Sequence, residues 1–143
     1  MRLICTSLIV AASLATGIAT SEAQKSESGK DDYLRSCAGC HGMTGKGDGP
    51  QGKDLRKQPS DLTGLARANN GSFPLTHAYD VIDGKLDIVV HGPREMPSLA
   101  DTFKQDVLSR MPRDNYMSAE LAETFARRRM LQVIEYIMSL QNK

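Results

Sequence analysis

Two cysteines three positions apart with a histidine directly after them, Cys37-Ala38-Gly39-Cys40-His41, constrain this chain more than any other stretch. The spacing is that of c-type haem attachment, in which each thiol forms a thioether with a porphyrin vinyl group and the imidazole ligates the iron. Positions i and i+3 share a helix face, so both sulfurs reach one porphyrin edge while His41 turns toward the metal. The expected cofactor is therefore one covalently attached haem c with its iron. A porphyrin would also supply apolar area that the side chains leave short, since aromatic residues are 5% of the 143 and tryptophan is absent.

The N-terminus fits export. Arg2 is followed by an apolar, small-residue run from Leu3 to Ala19, and Ser21-Glu22-Ala23 offers a small-x-small cleavage site, with Ala19 as the rival position. Residues 1–23 are expected to be a cleaved secretory signal peptide, residues 24–28 a polar leader and residues 29–143 the domain, in the bacterial periplasm. The alternative is a membrane anchor through an uncleaved N-terminus, but a span needs about 20 apolar residues and this run is shorter. Cleavage removes Cys5 together with one charge of each sign, Arg2 and Glu22, and leaves the net charge at +1. Such a balance gives no argument for nucleic acid or for a general membrane surface, and no later segment is apolar enough to cross a bilayer, so neither a nucleic-acid partner nor stable membrane insertion of the mature chain is expected. The two remaining cysteines are too close for a disulfide to close a useful loop, and haem attachment uses both.

Along the chain the pattern is helical. A helix from Gly29, with Asp31 and Asp32 in its first turn, places Tyr33, Leu34 and Cys37 on one face. Gly42 to Pro50 has four glycines in nine residues, which permits positive φ and close backbone approach. It fails as a phosphate loop, because Cys40 stands where the first P-loop glycine belongs and Pro50 takes the third glycine of the dinucleotide fingerprint. A short helix over Leu62 to Ala68 stops at Asn69-Asn70-Gly71. Ser72 is the expected cap of a helix carrying Tyr79, Ile82 and Leu75 inward and ending at Gly84. Leu86 to Val90 is a short apolar run. Ser98 should cap a helix with Leu99, Phe103 and Val107 inward, closed by Pro112. Residues 112–118 form a linker, and Ser118 caps a long helix over Ala119 to Leu140 with an inward stripe that includes Leu121, Phe125, Met130, Val133, Ile134, Ile137 and Leu140. Arg127, Arg128 and Arg129 are most simply a solvated surface.

The sixth iron position then decides the chemistry. His and Met ligation closes the iron and suits outer-sphere electron transfer, whereas an open position suits gas binding or peroxide chemistry. Met96 lies in a loop bounded by Pro93 and Pro97, far along the chain from His41 and off any helical stripe, and is the expected distal ligand. Met111 repeats the Met-Pro dipeptide but falls at i+4 from Val107, where a packing residue belongs; His91 and His77 are the remaining alternatives. The metal ligands are thus expected to be His41 and Met96, and the cofactor-binding residues Cys37, Cys40, His41 and Met96, with no catalytic residues. Arg94 stands beside the ligand loop as a partner for a propionate or for a surface carboxylate. A zinc site would need His77 and His91 at a separation that matches no common finger, and a dithiol oxidoreductase would need a βαβ setting.

With these residues in view, the chain resembles class I cytochrome c over about Gly29 to Gln141. Gly29 and Tyr33 precede Cys37 at four-residue steps where that family has its glycine and aromatic, and Val133-Ile134-Glu135-Tyr136-Ile137 is similar to the aromatic-bearing part of its last helix. Gly45 to Pro50 and Gly92 to Pro97 resemble bacterial members. The resemblance implies an all-α class I cytochrome c fold wrapped around one haem, with the first and last helices crossing at the glycine. It also implies a proximal histidine whose other nitrogen is held by the carbonyl of Pro50. This chain departs from the pattern by an extra helix between the Met96 loop and the last helix. The implied function is single-electron transfer between redox proteins of a respiratory or dehydrogenase chain, not catalysis. The alternatives are a haem enzyme or sensor with a labile sixth ligand, and a fixed subunit of a periplasmic dehydrogenase.

Overall fold

The computed structural model describes residues 19–86, 96–110 and 118–142. Among the described residues every regular element is helical: α1 (Ala19–Ser36), α2 (Ala38–His41), α3 (Leu65–Ala68), α4 (Leu75–Asp83), α5 (Leu99–Arg110) and α6 (Ser118–Ser139), with 3-10 turns at Pro50–Asp54 and Leu62–Gly64. The all-α fold class holds, and α5 is the extra helix. His91 and Arg94 fall in 87–95, and Met111 in 111–117, so the expectations on them lie outside the described residues.

The first helix begins at Ala19 and not at Gly29, because 19–28 is rich in good helix formers and has no proline; the stretch expected as a polar leader is helical. At its other end Tyr33 is fully buried, and its ring lies 5.1 Å from that of Tyr136, tilted by 53°. The Tyr33 hydroxyl donates to the Gly42 carbonyl at 2.7 Å, which links α1 to the loop after the histidine. Gly29 is where α1 crosses α6: a Cβ there would strike the Gln132 carbonyl oxygen and lie 2.6 Å from its carbon. The glycine expected at the crossing is there for close approach.

The last helix is the spine of the fold, packed against both α1 and α5. Its buried stripe is Ala122, Ala126, Met130, Val133, Ile134 and Ile137. Leu121 and Phe125, expected inside, are 39% and 42% exposed. They sit one residue before the two alanines, about 100° around the helix, and the small side chains occupy the interface where neighbouring helices come close. α4 ends as expected at Gly84, which is left-handed with φ 79, but Pro74 rather than Ser72 precedes its first turn, and Leu75 is 48% exposed. For α5 the sequence pattern holds: the Asp101 amide donates to Ser98 Oγ at 3.2 Å, and Leu99 and Phe103 are buried.

The arginine run is not a uniform solvated surface. Arg127 forms an exposed i,i+4 pair with Glu123. Arg129 turns inward, its Nε and Nη2 donating to the two oxygens of Asp32 at 2.9 and 2.7 Å and its Nη1 to Asp106 at 2.8 Å, with the guanidinium 4.0 Å from the Phe103 ring centroid. Asp32 is almost fully buried, so it needs this partner.

Candidate functional site

The α1 helix delivers Cys37 at its end, and the Cys37 amide still donates to the Tyr33 carbonyl at 2.8 Å. Cys37 is the single residue between α1 and α2, and the His41 amide at the end of α2 donates to the Cys37 carbonyl at 2.9 Å. The glycine loop then folds back over α2. The amides of Gly47 and Gly49 donate to the carbonyls of His41 and Cys40 at 2.8 and 3.1 Å. A Cβ at Gly49 would lie 2.6 Å from the Ala38 carbonyl oxygen, so only glycine allows this approach. The Leu62 amide donates to the Gly45 carbonyl at 2.6 Å, drawing Pro59 and Ser60 alongside His41.

That path decides what orients the histidine. His41 Nδ1 lies 3.0 Å from the carbonyl oxygen of Ser60. The resemblance gave this place to Pro50, but Pro50 opens a 3-10 turn whose carbonyls run along the turn's own axis. With Nδ1 carrying the proton, Nδ1 donates to Ser60 and the lone pair is on Nε2, the tautomer that a metal-ligating histidine needs.

Cys37, Cys40 and His41 open onto one cleft that Leu55, Pro59, Met96 and Leu99 also line. Met96 therefore shares a cleft with His41 although 55 positions separate them in sequence. His77 is exposed on α4 and does not line it. Leu55 and Pro59, from the stretch after the first 3-10 turn, and Leu99, from the start of α5, give the cleft apolar walls; sequence reasoning placed Leu99 inside but did not bring these two distant segments together.

Both thiols are free of disulfide, Cys37 buried and Cys40 partly exposed. Burial, then the Asp32 carboxylate and Cys40, push the Cys37 thiol up from 9.0 to about 12. A thiol held protonated is a poor exchange nucleophile, which weighs against the dithiol reading. Among the described residues no group of three or more His, Cys, Asp or Glu side chains is arranged to hold a metal ion. A haem fits this donor set: two thiols, an imidazole whose Nδ1 is held by a backbone carbonyl, and a thioether sulfur, all lining one apolar cleft.

No curated protein and no solved structure matches the chain. A family model described as cytochrome C oxidase, cbb3-type, subunit III, matches residues 24–112, from within α1 to just past α5. With more than half of its length matched, the chain belongs to this cytochrome c family, whose domains bind haem covalently and transfer electrons.

Proposed function

We propose that this protein is a periplasmic monohaem cytochrome c that passes single electrons between redox partners, with Cys37 and Cys40 anchoring the haem, His41 as proximal ligand and Met96 as distal ligand. The observation that carries the reading is the shared cleft: the thiols, the imidazole and Met96 line one apolar space. When bound, a haem supplies a metal centre that gains and loses one electron. The chain's part is to hold, orient and enclose it. The Ser60 carbonyl holds His41 Nδ1, Met96 would be the second protein ligand to the iron, and Leu55, Pro59 and Leu99 would shield the bound group from water. One Cys-x-x-Cys-His stretch in the sequence supports a single haem. Export rests on the N-terminal pattern; no helix among the described residues is long and apolar enough to cross a membrane. A redox titration of the purified full chain tests the function. One reversible one-electron wave with no carbon monoxide shift in the reduced form is expected; turnover of peroxide, or tight carbon monoxide binding, would replace the carrier with an enzyme or sensor.

The family description favours a second reading, in which the chain is a fixed subunit of a respiratory oxidoreductase and not a free shuttle. Purification from the native membrane and soluble fractions separates the two: unit stoichiometry with an oxidase or dehydrogenase supports the subunit.

A further inference from the structure

We propose that Arg129 is a positioning residue for the haem centre: it ties α1, which delivers Cys37 and His41, to α5, which follows directly on Met96, and so fixes the two axial side chains relative to each other. The proposal rests on Met96 being the distal ligand. Arg129 sits on α6 with its fork on both oxygens of Asp32 in α1 and its remaining arm on Asp106 in α5. Arg35 touches Asp32 at 3.2 Å and Arg110 touches Asp106 at 2.7 Å, so charges alternate across three helices from one end of the network to the other. Phe103, one turn before Asp106 in α5, is buried under the guanidinium.

The link from α5 to Met96 is short and stiff. Only Pro97 and Ser98 intervene before Leu99, which begins α5 and lines the cleft. Ser98 is held at both faces: its hydroxyl donates to the Asp83 carbonyl at the end of α4 at 3.0 Å and accepts from the Asp101 amide. Any displacement of α5 is therefore transmitted to Met96. The other described ion pair between α5 and α6, Lys104 to Glu123 at 3.5 Å, is exposed and does not replace Arg129. Two thioethers would retain the haem whatever α5 does, whereas the distal bond depends on placement alone. Loosening α5 thus releases Met96 first.

The experiment compares Arg129→Met, Arg129→Lys and Asp106→Asn with Arg127→Ala and Met96→Ala, all in the haem-loaded full chain well below its melting temperature. The readouts are the methionine-to-iron charge-transfer band of the oxidised form and carbon monoxide binding by the reduced form. Arg129→Met and Asp106→Asn should weaken the band and raise carbon monoxide affinity roughly tenfold or more, the scale of losing one charge-assisted hydrogen bond. Arg129→Lys should recover part of the band, since it keeps the charge but not the fork, and Arg127→Ala should match the parent. Asp106→Asn leaves the Asp32 pair in place and keeps the test available if Arg129→Met does not fold. Folded Arg129→Met and Asp106→Asn proteins with the parental band and carbon monoxide response would overturn the positioning role. A band that survives Met96→Ala would overturn the ligand assignment instead, and this proposal with it.

Discussion

Replacing Gly29 by alanine tests the helix crossing that holds the attachment helix in place. The added Cβ would strike the Gln132 carbonyl oxygen and lie 2.6 Å from its carbon, where ordinary contact begins at 3.4 Å, so the two helices must part by more than 0.8 Å. The obstacle is backbone, which cannot rotate away as a side chain would. Overpacking of this kind costs about 1 to 3 kcal/mol, and a rigid obstacle belongs at the upper end. Parting the helices also weakens the neighbouring contacts of Tyr33 with Tyr136. Against this, alanine in place of a helical glycine returns about 1 kcal/mol. The net cost is about 2 kcal/mol, which for a domain of this size lowers the melting temperature by roughly 6 to 12 °C. Thermal unfolding of the haem-loaded protein followed by circular dichroism measures it. Gly64→Ala is the matched control, because its Cβ would meet only the end of the Arg67 side chain at 3.4 Å. A Gly29→Ala protein that melts at or above the parental temperature would show that α1 and α6 do not meet here and would refute the reasoning.

Cys37→Ala combined with Cys40→Ala should leave any bound haem extractable by acidified organic solvent, while the parent retains it; retention by the double variant contradicts covalent attachment through this pair. Tyr33→Phe removes a buried hydroxyl and leaves the Gly42 carbonyl without that donor, for an expected loss of about 1 to 3 kcal/mol in denaturant titration; an unchanged midpoint contradicts it. The same variant carries a pH signature. Burial, followed by the charges of Cys37, Tyr136 and Asp48, holds the Tyr33 phenol above its ordinary 10.0, so the folded state keeps a proton that the unfolded chain releases. That contribution is full below pH 10 and is lost as pH rises beyond it. Tyr33→Phe should flatten this alkaline decline, and an identical decline in both proteins would show that another group carries it.

The parts of this fold legible in the sequence are those set by local chemistry. The attachment stretch, the left-handed stop at Gly84 and the Ser98 cap follow from a few adjacent residues, whereas the close-approach glycine at position 29 is expected only from the family resemblance. What escaped depends on which distant segment arrives. The Ser60 carbonyl reaches His41 only because Leu62 pairs with Gly45, a backbone event that leaves no side-chain signature. Leu121 and Phe125 looked like core by hydrophobicity, yet the tight helix packing selects Ala122 and Ala126 beside them. Arg129 was hidden among three successive arginines, because its burial depends on Asp32, 97 positions away, and Asp106, 23 away. Met96 stood out only through its prolines, and its place on the cleft follows from α5.

The central claim is an iron held between His41 and Met96 on a haem bound through Cys37 and Cys40. The far-red absorption of the oxidised full-length protein tests it most directly, taken alongside Met96→Ala and Met111→Ala. The account predicts a methionine-to-iron charge-transfer band in the parent and in Met111→Ala that vanishes in Met96→Ala. A high-spin spectrum without the band in the parent, or a band removed only by Met111→Ala, would contradict it.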